Sequence, residues 1–201
     1  MKNFILLCFS LFFICACNND ARKEALANDI QQFQQALMHE YLDSATTPLL
    51  PADRAGFKGI HFFPINLDYV VTAHFTRTAD ETAFKMAMSN KNDEQEYVKY
   101  GYVQFMLLGK PYKLSVYQSV RLLQSEQYKN YLAILFKDAT SGHETYGGGR
   151  YIDLQVPGSD TLTINFNKAY QPYCAYTEGY SCPIPPAENY LPIRIEAGVK
   201  F

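Results

Sequence analysis

The spacing of apolar residues changes twice along this chain, and each change marks a new kind of element. Phe4–Ile14 is an almost unbroken apolar run, ended abruptly by the polar Asn18, Asn19 and Asp20. A bilayer-spanning helix needs roughly 17–25 apolar residues, so this run is too short to cross. Leu26, Ile30, Phe33, Leu37 and Tyr41 then recur at steps of four and three, which draws one apolar stripe along a helix predicted over Glu24–Leu42. Such a stripe needs cover, either from its own domain or from a second helix in a dimer seam. Asp43, Ser44 and the threonines before Pro48 end it, and Pro48 and Pro51 bracket a connection.

From Phe62 the period falls to two. Tyr69, Val71, Ala73 and Phe75 alternate with Val70, Thr72 and His74, and Phe84, Met86 and Met88 alternate with Lys85, Ala87 and Ser89, as strands require. Asn90–Glu94 reads as a turn. Tyr97–Leu108 and Tyr112–Gln118 are joined through Gly109 and Lys110, the signature of a β-hairpin. Tyr131–Phe136, Tyr151–Val156, Leu162–Phe166 and Leu191–Ile195 complete the predicted strands. With no second helix to cross over, the pattern predicts a mainly β fold, an antiparallel β-sandwich or barrel with one N-terminal amphipathic helix.

The N-terminus reads as an address. Lys2 precedes the apolar run, and Ile14-Cys15-Ala16-Cys17 closes it. The quartet resembles the lipobox of bacterial lipoproteins, in which the last cysteine is acylated and becomes the mature N-terminus. Residues 1–16 are thus expected to be a signal peptide, 17–23 a tether, and 24–201 a single domain (helix 24–42, β domain 59–201). The expected partner of Cys17 is a lipid bilayer, in the bacterial cell envelope, at the periplasmic side or cell surface. Removal of residues 1–16 takes away Lys2 and no acid, leaving 17 basic against 20 acidic side chains and a net charge of −3. Nucleic-acid binding leaves a basic patch or stripe, and this balance argues against it.

TPLLPADRAGFKGIHFFP (Thr47–Pro64), KDATSGHETYGGGRYIDL (Lys137–Leu154) and INFNKAYQPYCAYTEGYSCPIPPAENYLPIRIEAG (Ile164–Gly198) resemble the bacterial and archaeal family catalogued as domain of unknown function 1684. The resemblance implies no established activity and no cofactor. Gln171 and Tyr173 stand where the family pattern more often reads Asn-Pro-Pro, and Val199 where an acid usually follows Ala-Gly.

Candidate chemistry is dense in the last third. Asp138, Thr140, Ser141, His143, Glu144, Tyr146 and Arg150 crowd one segment, with Gly147–Gly149 before the arginine. The glycines could offer N–H groups to an anion and Arg150 a bidentate fork. A tight bend before a strand, with Arg150 pairing to Asp138 or Glu144, is the plainer alternative. His143 and Glu144 could act as acid and base, although a lone His-Glu pair lacks the second histidine of a zinc-protease motif. No metal site is expected. Asn165, Asn167, Tyr170 and Tyr176 form a second candidate group, predicted to line one pocket with the first for a small molecule or an envelope partner. Cys174 and Cys182 are the thiols left in the domain, and an exported chain favours their disulfide, worth about 2.6 kcal/mol in the chain-entropy model. A Cys-Cys-His zinc site with His143 is the competitor. Two functional classes follow: a non-catalytic binding lipoprotein, and a hydrolase using His143 and Glu144 with Arg150 as anion clamp.

The address generates a direct test: radiolabelled fatty acid should enter the wild-type protein and not Cys17→Ala, and equal labelling of the two would remove the lipoprotein expectation.

Overall fold

Where the alternation is strongest it survives folding: Val103, Phe105 and Leu107 are buried while Gln104 and Met106 face out. The computed structural model describes residues 4–79 and 81–201, with side chains from Asp20 onward. Its helices are α1 (Phe4–Leu42) and the one-turn α2 (Pro51–Arg54). Its strands are β1 (His61–Phe62), β2 (Val70–Arg77), β3 (Phe84–Met86), β4 (Gln95–Leu107), β5 (Lys110–Ser119), β6 (Tyr131–Asp138), β7 (Arg150–Gln155), β8 (Thr161–Asn165), β9 (Tyr190–Leu191) and β10 (Val199–Lys200). The quartet Ile14–Cys17 lies outside the side chains described. Among the described residues, no helix is long and apolar enough to cross a membrane.

The fold is mainly antiparallel β, a curled half-barrel in the order β7-β6-β5-β4-β2-β8, with β3 on β4 and β9 on β6. A register shift between Lys99 and Gly101 adds local bend to the long β4–β5 hairpin. The inside of the curl holds the larger apolar cluster, including Val103, Leu114, Leu132, Ile134, Phe136, Ile152, Ile164 and Phe166, closed by Ile195 and Ala197 of the C-terminal segment. The opposite face carries a second cluster of Met86, Met88, Tyr97, Tyr117, Leu135 and Tyr151. Over β6, β7 and the adjoining ends of β4 and β5 both faces of the sheet are therefore covered, while the far end of β4 leaves Gln104 and Met106 exposed.

Four expectations are refined. The hairpin turns at Leu108 and Gly109, both with positive φ (49° and 76°), one residue before the expected pair. This is the two-residue geometry that matches strand twist, and it normally selects Asn-Gly because a side chain at positive φ is crowded. Leu191–Ile195 does not run on as a strand: Pro192 interrupts it, leaving β9 as two residues paired in parallel to β6. β1 and β10, too short to show a period, pair into a small separate sheet. Asp20–Lys23, expected as tether, continue α1.

The helical stripe packs as its spacing demands. Ile30 and Tyr41 are buried and Leu26, Phe33 and Leu37 partly so; full burial of a side chain such as Ile30 contributes about 1.5–3 kcal/mol. At the far end Tyr41 joins Leu49, Ile60 and Val199 in a third cluster. Cys174 and Cys182 are disulfide-bonded, which removes the competing zinc reading since both sulfurs are spent on each other. The cross-link holds its loop against β3: Ser89 N donates to Cys182 O at 2.8 Å and Ile184 N to Ala87 O at 2.7 Å.

The segment from Asp138 to Arg150 is organised around a buried ion pair. Arg150 has no exposed surface. Its Nη2 donates to Asp138 Oδ1 (3.3 Å) and Ile195 O (2.8 Å), and its Nη1 to Ala197 O (2.5 Å). Asp138 in turn accepts Ile195 N (2.7 Å) and the Thr140 hydroxyl (2.9 Å). Burial pulls the Arg150 pKa below its ordinary value while Asp138 opposes the shift. Gly149 has φ of 97°, and a side chain there would meet Phe136 O at 2.7 Å, so it is needed to let β7 start against β6. Gly198, at φ 78°, likewise lets the C-terminal segment press on the carbonyls of Phe166 and Ala169.

Removing one partner of a buried pair costs roughly 3–5 kcal/mol, and lysine cannot reproduce the planar fork. Arg150→Met, which leaves Asp138 without its counter-charge, should therefore lower Tm by roughly 6–20 °C, at about 2–4 °C per kcal/mol for a chain of this size, and Arg150→Lys, which keeps the charge and loses the fork, by less. An unchanged melting temperature would show that the pair does not hold the fold.

Candidate functional site

The residues singled out from sequence separate into fastenings and one groove. Thr140 and Thr145 are buried and bond each other (3.0 Å) beside Asp138, whose backbone N–H donates to Ser141 Oγ (3.1 Å). Glu144 pairs with Arg194 (2.5 Å), and that hydrogen bond holds its pKa below the usual carboxylate value. Its backbone carbonyl accepts Phe201 N at 2.8 Å. His143 is exposed, and Tyr146 is partly buried beside Gly148. Asn165 caps the turn at Phe166–Lys168, while Asn167 clamps Asn66 through both its amide atoms, at 2.9 Å each. Tyr176 meets the rings of Tyr41, Phe57 and Phe201 edge to face, its hydroxyl buried without a partner among the described residues. The Asp138–Arg150 segment and the Asn165–Cys182 segment meet through the C-terminal strand, where Arg150 binds Ala197 O and Val199 N binds Ala169 O (2.8 Å). Of the polar groups in the first segment, Arg150 is enclosed and Glu144 is tied to Arg194.

Tyr170 leads elsewhere. It exchanges both backbone hydrogen bonds with Tyr151 (2.9 and 3.0 Å), stitching the start of β7 to the turn after β8. Beyond that bridge the two edge strands are not paired with each other, and α1 lies along the opening. A cavity of about 420 Å³ remains there, walled by Leu26, Asp29 and Phe33 of α1, by Ile152, Asp153 and Leu154 of β7, and by Val70, Thr163, Asn165, Lys168 and Tyr170. A second cavity of about 260 Å³ adjoins it and shares Phe33, Asp153 and Tyr170, adding Ala36, Leu37, Glu40, Tyr41 and Tyr173. Together they make a groove, lined mostly by apolar and aromatic groups with a few convergent polar ones, the usual character of small-molecule sites.

Asp153 is the pivot. Its Oδ1 accepts the phenols of Tyr131 (2.8 Å) and Tyr170 (2.7 Å). The carboxylate keeps an exposed edge, but the protein packed around it raises its pKa, with the two phenol bonds opposing and Glu40 adding a smaller rise. Burial pushes the Tyr131 and Tyr170 phenols well above their ordinary value. Across the groove Glu40 accepts the Tyr173 hydroxyl at 2.6 Å, and Lys168 pairs with Asp29 at 2.8 Å. Of the residues expected from sequence, Asn165 and Tyr170 line this groove. Asp153, Glu40, Phe33 and Asp29 were missed as site residues. Asp153 sits at an alternating polar position in β7 and so reads as solvent-facing. The helical set was legible in principle, since Asp29, Phe33, Ala36 and Glu40 fall at i, i+4, i+7 and i+11 along one flank. Among the described residues no group of three or more His, Cys, Asp or Glu could hold a metal ion.

The fold and groove together define a helix-covered, curled antiparallel half-barrel with an open seam. The chain belongs to the family described as protein of unknown function (DUF1684), whose model matches residues 55–200. It is similar to the solution NMR structure of an uncharacterised protein from gene locus rrnAC0354 of Haloarcula marismortui, with a TM-score of 0.69 and 27% sequence identity over 90% of this chain and 97% of that one. No curated protein matches it.

The raised pKa of Asp153 has a definite sign. Its folded value lies above the unfolded value near 3.8, so the folded state holds this proton more tightly. The contribution to stability is full below about 3.8 and is lost as pH rises through the folded pKa. Denaturant unfolding of wild type and Asp153→Asn from about pH 7 to about pH 4 should thus show the difference moving in favour of wild type as pH falls. Movement the other way would mean that the phenol bonds outweigh burial.

Proposed function

We propose that this protein is a membrane-tethered, non-catalytic binding domain whose small-molecule site is the groove between α1 and the edge strands β7 and β8. The observation that carries the reading is the seam itself: two adjoining cavities of about 420 and 260 Å³ beneath one helix, sharing Asp153, Tyr170 and Phe33. Their lining, mostly apolar and aromatic with a few convergent polar groups, is the character of small-molecule sites. The tether is supported by the Ile14-Cys15-Ala16-Cys17 quartet and the polar residues after it; two acyl chains give stable anchoring where one binds only marginally. α1 then joins the attachment point to one wall of the site. The hydrolase reading has less behind it. Its clamp, Arg150, is enclosed; Glu144 is ionised and held by Arg194; and exposed His143 has neither of them as a partner.

The test is occupancy with and without a plug. After incubation with a small-molecule extract of envelope material, native mass spectrometry should find an adduct on wild type, reduced at least tenfold in Thr163→Trp, where the indole fills the larger cavity. No adduct on wild type, or equal adducts on both, would overturn the groove as the site.

A further inference from the structure

We propose that the smaller cavity takes the alkylammonium head of an organic cation, with the larger cavity receiving its apolar body. The inference rests on the reading of the groove as a small-molecule site and adds the charge of what enters. Four rings line the smaller cavity, Phe33, Tyr41, Tyr170 and Tyr173, together with the carboxylates of Glu40 and Asp153, and among the described residues no lysine, arginine or histidine is part of the lining. Ring faces carry negative potential and attract ammonium groups, most strongly where water is displaced.

The two carboxylates lack a counter-charge. Asp153 spends Oδ1 on the phenols of Tyr131 and Tyr170, and Glu40 spends Oε1 on Tyr173. These are neutral donors, and among the described residues neither acid forms an ion pair. Glu40 and Asp153 also repel each other, each favouring a cation between them, and Glu40 adds to the rise of the Asp153 pKa. The phenol bonds have a second effect: they fix Tyr170 and Tyr173 as walls, so little ordering remains to be done when a ligand arrives. Lys168, the nearest base in the groove, is committed to Asp29 in the neighbouring cavity. Its ammonium lies 5.8 Å from the Phe33 ring centroid, so the protein already sets one cation against this wall. Leu26, Val70, Ile152 and Leu154 of the larger cavity supply the apolar surface beyond.

Choline and 3,3-dimethylbutan-1-ol have the same shape and differ in a nitrogen cation against a carbon. Each is titrated calorimetrically into the full chain in uncharged maltoside micelles. Choline should bind at least tenfold more tightly than the alcohol. Glu40→Gln and Asp153→Asn should each weaken choline roughly five- to tenfold, and leave the alcohol unchanged. Thermal unfolding checks that each variant is folded; if Asp153→Asn is not, Glu40→Gln alone decides. Equal affinity for the two probes, both lost in Ala36→Trp, would overturn the ammonium inference and leave the groove standing. Choline binding that survives both charge-removing substitutions would overturn it as well, by putting the cation elsewhere. Binding of neither probe also overturns it, whereas the groove itself stands or falls on the plugged variant above.

Discussion

The buried pairing of Arg150 with Asp138 is the constraint on which the remaining architecture hangs. An isolated charge inside a protein is costly, and it persists only with a partner and further hydrogen bonds; of the Arg150 nitrogens, Nε alone has no partner among the described residues. Here the guanidinium reaches the carbonyls of Ile195 and Ala197 as well as Asp138, while Asp138 also takes the Ile195 N–H. Three separate stretches are thereby tied at one point: the end of β6, the start of β7, and the C-terminal segment. A well-packed apolar replacement can match such a pair in stability, so what it supplies here is position. The C-terminal segment, once placed, closes the inside of the curl with Ile195 and Ala197, brings Val199 to Ala169, and delivers β10 to β1.

From that point the groove follows. Val199 on Ala169 positions Tyr170, and Tyr170 bridges Tyr151, which brings the two sheet edges together at one end only. The other end stays splayed, and α1 spans it with the residues that its helical spacing had set facing the domain. The family match begins at residue 55, so the helical wall of the groove precedes the matched stretch while the strand wall lies inside it. Asp153 is the residue common to both cavities on the strand side, and its partners come from β6 and from the turn after β8.

Secondary structure was largely legible because period-two alternation survives wherever one face of a strand is buried, as in β2 and β4. Legibility failed where pairing is decided by distant chain. β1, β9 and β10 are two residues each, and only the latch brings their partners to them. The same limit governed the site. Asp138, Thr140, Ser141 and Arg150 were conspicuous because polar and glycine residues cluster there in sequence, yet the cluster is what a buried polar fastening also requires. Pairing of Arg150 with Asp138 was among the open alternatives, and the fold realises it. Asp153, Glu40 and Phe33 were inconspicuous because Asp153 lies more than a hundred residues from the other two and each obeys its local pattern. A groove assembled from ordinary positions on two elements leaves no local signature.

The open seam also bears on how the protein avoids sticking to itself. β7 and β8 end the sheet, and an uncovered strand edge is a template for pairing with another chain. Barrels remove their edges by closing and sandwiches blunt theirs with charge or proline; this fold stops one bridge short of closure and uses α1 as the cover. The helix thereby has two duties, walling a groove and guarding two edges, which ties its attachment to the colloidal behaviour of the whole chain. Every departure of α1 from the seam exposes β7 and β8 at once, so the lifetime of that helix contact sets how long the sheet can remain solitary among other chains.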